Sequence, residues 1–125
     1  MDKILIVEDN PINYMVLHEM LSDYEFELSW AKDGAEFFEL MEGDRDYSLI
    51  LMDLMLPDTD GIELTKFCIN NKITIPIVFI SAYTERCEEV YDLGVEYFLT
   101  KPIYKELFFS VIAKYVMVKR KELAN

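Results

Sequence analysis

Short apolar runs alternate along the chain with longer segments of mixed polarity. "KILIVE" (3–8), "FELSW" (26–30), "SLILMD" (48–53), "IPIVFIS" (75–81) and "EYFLT" (96–100) read as strands. Three of these runs are almost unbroken Ile, Val, Leu and Phe, the pattern of strands covered on both faces in a parallel sheet. Segments of helical length lie between them. Asn10 before Pro11 reads as a cap followed by the first helical residue, launching "INYMVLHEMLSDY". "DGAEFFELME", "GIELTKFCINN" and "TERCEEVYDL" follow the second, third and fourth strands, and Gly94 stands where the last of these should stop. A final helix opens at Lys101-Pro102 and is expected to reach about Lys121. Alternation of this kind predicts an α/β fold with a five-stranded parallel sheet, in a single domain over residues 1–125.

Composition narrows the function classes. Hydrophobic residues make up 52% and charged residues 29%, which is globular composition and not disorder. The net charge is −12, from 24 acids against 12 bases. That argues against nucleic acid as a direct ligand, because phosphate backbones need a basic face. Lys119, Arg120 and Lys121 form the one tight basic cluster, expected as favourable charge at the end of the final helix. Cys68 and Cys87 lack metal-ligand spacing and read as reduced thiols of a cytoplasmic protein. The apolar run before Glu8 is too short for a signal segment, and nothing in the chain is long enough to insert in a membrane.

The strands end on chemistry. Glu8 and Asp9 follow the first strand, Asp53 ends the third, Ser81 ends the fourth and Lys101 follows the fifth. In an open α/β sheet these ends share one edge, where ligands bind. Clustered carboxylates repel unless a proton or a cation joins them. Oxygen ligands without a full cage suit Mg²⁺, which keeps several waters and is shared with phosphate. Lysine suits a phosphoryl oxygen as a point charge, and a carboxylate can itself be the nucleophile that forms an aspartyl-phosphate.

The stretches "ILIVEDN", "LILMDLMLPDTDG", "FISAY" and "FLTKP", in this order and spacing, resemble the receiver domains of two-component response regulators along the whole chain. The resemblance implies a flavodoxin-like (βα)5 fold with strand order 2-1-3-4-5 and helices on both faces; this order is that of the family's chemotaxis member. It implies that Asp53 is the phosphoacceptor and that Asp9 ligates Mg²⁺ directly, with Glu8 assisting. Met55 would lend the metal its backbone carbonyl. Ser81, the Ala82 N–H and Lys101 would hold the phosphoryl group, Ser81 and Phe98 would form the switch pair, and Pro102 would follow a cis bond. Pro57 and Gly61 would shape the loop after Asp53.

The function implied is a phosphorylation-activated signalling switch. A histidine kinase or phosphotransfer protein would supply the phosphoryl group, and any catalysis would be limited to the domain's own phosphorylation and dephosphorylation. The surface of the fourth helix, fifth strand and fifth helix would then control a partner, either a second copy or a downstream protein. On the last helix, Phe108, Ile112 and Tyr115 are expected to face the sheet, leaving Leu107, Val111 and Val118 as a second, surplus apolar stripe. The alternative is a receiver fold that acts as an interaction module without phosphate. "PDTDG" fails as a calcium loop, because Phe67 stands where the glutamate should be. Asp58 and Asp60 are expected to be loop solvation, and His18 a plain helix residue. "VEDNPIN" is similar to receivers joined to hybrid kinases, so both a stand-alone regulator and a piece of a longer protein fit.

Overall fold

The computed structural model describes residues 1–122. Five parallel strands, β1 (Asp2–Val7), β2 (Phe26–Ala31), β3 (Leu49–Met52), β4 (Ile77–Ser81) and β5 (Tyr97–Thr100), form one sheet in the order β2-β1-β3-β4-β5. The helices are α1 (Pro11–Leu21), α2 (Gly34–Glu42), α3 (Gly61–Asn70), α4 (Cys87–Asp92) and α5 (Lys105–Ile112). This is the doubly wound fold that the resemblance implied.

The unbroken apolar strands explain the layering. Successive strand residues point to opposite faces, so both faces of β1, β3 and β4 must be covered. Leu5, Val7, Ile50, Met52 and Phe79 pack with Phe37, Met41, Ile62, Leu64 and Val90 of α2, α3 and α4. Ile4, Ile6, Leu49, Leu51, Val78 and Ile80 pack with Leu17, Leu21, Phe108, Val111 and Ile112 of α1 and α5. Each fully buried Leu, Ile or Phe contributes roughly 1.5–3 kcal/mol relative to exposure. Helix starts are set by caps: Asn10 Oδ1 accepts the Ile12 N–H at 2.8 Å, Asp33 accepts the Glu36 N–H at 2.8 Å, and Asp60 accepts the Glu63 N–H at 2.8 Å. Gly94, with φ +90°, follows α4, and its N–H reaches the Tyr91 carbonyl.

Two helices are shorter than their sequence pattern suggests. α4 begins at Cys87, not Thr84, and has no side-chain cap. α5 stops at Ile112 and does not continue to Lys121. Beyond it the chain turns and then runs extended against residues 23–25. The Glu25 N–H donates to the Lys119 carbonyl at 2.7 Å, the Lys121 N–H donates to the Asp23 carbonyl at 2.8 Å, and Tyr24 and Arg120 form an antiparallel bridge. Asp2 Oδ2 fixes the turn by accepting the Met117 N–H at 2.7 Å. These bonds pair the Lys119 carbonyl and the Met117 and Lys121 amides within the protein instead of with water. The basic cluster is therefore not at a helix terminus; Lys119 and Arg120 lie 3.8 and 4.0 Å from Glu25 and Asp23, exposed pairs of little energetic weight.

The surplus stripe expected on the last helix dissolves for the same reason. Val111 is buried in the core at 4% exposure, and Val118 lies outside the helix. Only Leu107 of the three stands out in solvent, at 54%.

Candidate functional site

The carboxyl ends of the strands bring the predicted polar residues together. Glu8 and Asp9 leave β1, Asp53 leaves β3, Ser81 closes β4 and Lys101 leaves β5. β1 and β3 are neighbours although α1, β2 and α2 separate them in sequence, so the chain switches direction across the sheet between Asp9 and Asp53. Carboxylate oxygens of Glu8, Asp9 and Asp53 all lie within 4.8 Å of one another. Asp9 and Asp53 line a cleft of about 290 Å³ together with Asn13, Met55, Ala82, Tyr83 and Lys101, and Glu8 is buried beside them.

Local hydrogen bonds fix each group. The Asp53 N–H donates to the Val7 carbonyl at 3.0 Å, extending the β1–β3 pairing to the acid itself. Asp53 Oδ1 accepts the Leu54 N–H at 2.7 Å, and Oδ2 faces Lys101 Nζ at 3.6 Å. Lys101 Nζ donates to Glu8 Oε1 at 2.7 Å. Glu8 Oε2 accepts the Asn10 N–H at 3.3 Å, tying the acid to the cap of α1. Glu8 is 2% exposed. Burial pushes its carboxyl up to about 7; the neighbouring Asp53 adds to the rise, and Lys101 opposes it.

Three carboxylates against one ammonium leave a surplus of negative charge in a partly enclosed cleft. The cluster relieves it by holding a proton on Glu8 or by taking a divalent cation. All donors are hard oxygens, and the cleft leaves room for water on an ion, so the residues present fit Mg²⁺.

Ser81 is fully buried, and its Oγ accepts the Tyr83 N–H at 3.1 Å. The Lys101 N–H donates to the Ser81 carbonyl at 3.1 Å, and the Lys101–Pro102 bond is cis. Phe98 is partly buried and stacks on Phe79, ring centres 6.0 Å apart and planes within 8°.

The loop after Asp53 folds back tightly. The Gly61 N–H donates to the Leu54 carbonyl at 2.7 Å. A Cβ at Gly61 would stand 2.4 Å from the Asp53 carbonyl oxygen, so only glycine admits this approach. Asp58 and Asp60 do more than solvate the loop. Asp58 accepts the Gly34 and Ala35 N–H groups at 2.8 and 3.0 Å, anchoring the loop to the start of α2, and these bonds hold its carboxyl below the usual range. Asp60 caps α3 and pairs with Arg86 at 2.9 Å.

Trp30 is the participant that sequence reasoning missed. Its indole N–H donates to the Glu8 carbonyl at 2.7 Å, and its ring stacks on Tyr14 with centres 4.0 Å apart and planes within 5°. The only signal lay in the pairing register, which sets Trp30 beside Ile6. His18, by contrast, is an exposed residue of α1 that touches the site only through Tyr14. No helix among the described residues is long and apolar enough to cross a membrane.

Comparison with known proteins agrees with this fold. Residues 4–113 match the family described as the response regulator receiver domain. The chain is 41% identical over 104 residues to the autoinducer 2 sensor kinase/phosphatase LuxQ of Vibrio parahaemolyticus, covering 81% of this chain but 12% of that protein. It is 29% identical over 117 residues to the polar-differentiation response regulator DivK of Brucella anthropi, covering 90% of this chain and 94% of that one. The receiver domain of sensor histidine kinase PA1611 from Pseudomonas aeruginosa superposes with a TM-score of 0.80 at 29% identity, covering 91% of this chain and 96% of the other. That domain was solved with a magnesium ion coordinated in its active site cleft.

Proposed function

The chain belongs to the family of response regulator receiver domains of two-component signalling, and from that premise we propose that it is a switch driven by phosphorylation of Asp53. The observation that carries this reading is the convergence of Glu8, Asp9, Asp53 and Lys101 from three strand ends on one cleft. The donor is a phosphohistidine on a kinase or phosphotransfer protein. Asp53 Oδ2 attacks phosphorus as the P–N bond breaks; the electron pair of that bond returns to the leaving imidazole, and the P–O bond of an acyl phosphate forms.

Asp9 and Asp53, with Glu8 beside them and the backbone carbonyl of Met55, a residue that lines the cleft, are the groups that would hold Mg²⁺. The ion supplies charge neutralisation for the phosphoryl oxygens. The chain's own residues do the rest. Leu54 N–H pins Oδ1 of Asp53, which aims Oδ2 into the cleft. Lys101 stands within reach of the new phosphoryl oxygens and lends them a fixed positive charge. The Ala82 N–H and the Ser81 hydroxyl receive the remaining oxygens.

Recruiting Ser81 turns its hydroxyl, whose oxygen accepts the Tyr83 N–H in this structure, to donate its proton to a phosphoryl oxygen. Phe98, on the adjacent strand, repacks against Phe79 in response. Such a change is a population shift between two packings, biased by a covalent ligand. The α4–β5–α5 surface then changes for a downstream partner or second copy, with Tyr104 and Leu107 exposed on it. The single domain over residues 1–125 works in the cytoplasm, as a stand-alone regulator or within a longer protein.

Intact-mass spectrometry after treatment with acetyl phosphate tests this. With Mg²⁺ the parent gains one phosphoryl group, and Asp53→Asn or excess EDTA abolishes the gain. Label that persists on Asp53→Asn overturns the assignment, and a parent that gains nothing favours an interaction module that works without phosphate.

A further inference from the structure

We infer that Trp30 is a positioning residue for the metal corner: its indole N–H fixes the peptide that carries Asp9, and the affinity for Mg²⁺ depends on that bond. The inference rests on the reading of Glu8, Asp9 and Asp53 as a Mg²⁺ site.

Asp9 is the exposed member of the three acids, whereas Glu8 and Asp53 are buried. Its direction is therefore set by its backbone rather than by packing. The Glu8 carbonyl and the Asp9 N–H belong to one rigid peptide plane. Rotating that plane swings the Asp9 Cα–Cβ bond toward or away from Asp53. The Glu8 carbonyl lies past the end of β1, beyond the paired residues Val7 and Ala31, so the sheet does not claim it. Trp30 claims it instead at 2.7 Å, through a ring nitrogen that can only donate.

The indole is itself held. One face stacks on Tyr14 at 4.0 Å, and the Lys32 ammonium lies 5.4 Å from its centre. Tyr14 belongs to α1, whose cap Asn10 directly follows Asp9. Trp30 thus grips the Asp9 segment on both sides, through the Glu8 carbonyl before it and through α1 after it. Preorganised support behind a metal ligand of this kind is commonly worth tenfold or more in metal affinity.

The test compares Mg²⁺ titration calorimetry of the parent, of Trp30→Phe, and of protein whose one tryptophan is replaced biosynthetically by benzothienylalanine. The last keeps the shape and the stack and exchanges the N–H for sulfur. Melting in EDTA is followed for all three. The expected result is about tenfold weaker Mg²⁺ binding for both replacements, with the sulfur isostere melting close to the parent. Parent-like Mg²⁺ affinity in the isostere overturns the inference and leaves Trp30 as packing only, whatever Trp30→Phe does to folding. If the parent itself binds no Mg²⁺, the metal reading falls first and this inference with it.

Discussion

Gly61 gives a test in which two general expectations have opposite signs. It is the first residue of α3, and alanine within a helix is favoured over glycine by about 1 kcal/mol. On propensity alone, Gly61→Ala stabilises. The structure reverses this. The added Cβ would lie 2.4 Å from the Asp53 carbonyl oxygen, 2.8 Å from the Phe79 ring and 2.9 Å from Met52 Cγ. The nearest obstacle is backbone, and it is pinned on both sides. The Asp53 N–H is bonded to Val7 and the Gly61 N–H to Leu54. Overpacking of this kind costs roughly 3 kcal/mol where the surroundings cannot yield. Subtracting the propensity gain leaves a net loss of about 2 kcal/mol, or roughly 8 °C in melting temperature for a domain of this size. Urea and thermal unfolding in EDTA measure it. Gly43→Ala serves as control, because its nearest neighbour is the Leu40 carbonyl at 3.6 Å; it should change stability by less than about 0.5 kcal/mol. A Gly61→Ala protein as stable as the parent, or more stable, refutes the reasoning. Because the displaced carbonyl is that of Asp53, the variant should also accept phosphate more slowly from acetyl phosphate than the control does.

Mg²⁺ should stabilise the folded chain by about 2.7 kcal/mol at a hundredfold excess over its dissociation constant; a melt that does not move, or that moves equally in Asp9→Ala, contradicts the cluster's role. In metal-free buffer the raised Glu8 carboxyl keeps its proton in the folded state after the unfolded chain has lost it. Stability should therefore fall as pH rises from about 4.5 to 7, by about 3 kcal/mol at most, and flatten above that; urea titrations at several pH values should show that part of the slope vanish in Glu8→Gln. Tyr83 is half exposed and lines the cleft together with Asp53 and Lys101, so Tyr83→Ala should open a path for water and speed loss of the phosphoryl group severalfold in a time course of intact mass. An unchanged decay rate makes that ring a bystander.

Residues differed in how much of their role could be read from sequence. Ile4 to Val7 and Leu49 to Met52 announced buried parallel strands, because only two covered faces tolerate so many apolar residues in succession. Their acidic and basic endings then pointed to one edge without any structure. The order of the strands is not contained in such runs and came from family resemblance. The end of α5 was illegible for a physical reason: "VIAKYVMV" offers apolar residues at helical spacing and at strand spacing alike. Tertiary partners, Asp2 and residues 23–25, decided in favour of the extended form. Asp58 looked like loop solvation because the amides it caps lie 23 and 24 residues away. Trp30 was missed similarly; its contact with Glu8 exists only once β1 and β2 pair in register.

The central claim is that these strand ends build one metal and phosphoryl site centred on Asp53. A crystal structure grown with Mg²⁺ and beryllium fluoride, a mimic of the phosphoryl group, tests it most directly. The account predicts the fluoride group on an Asp53 oxygen, in contact with Lys101, the Ser81 hydroxyl and the Ala82 N–H, with Mg²⁺ against Asp9 and Asp53. Beryllium fluoride bound elsewhere, or a metal held without Asp9 and Asp53, contradicts it.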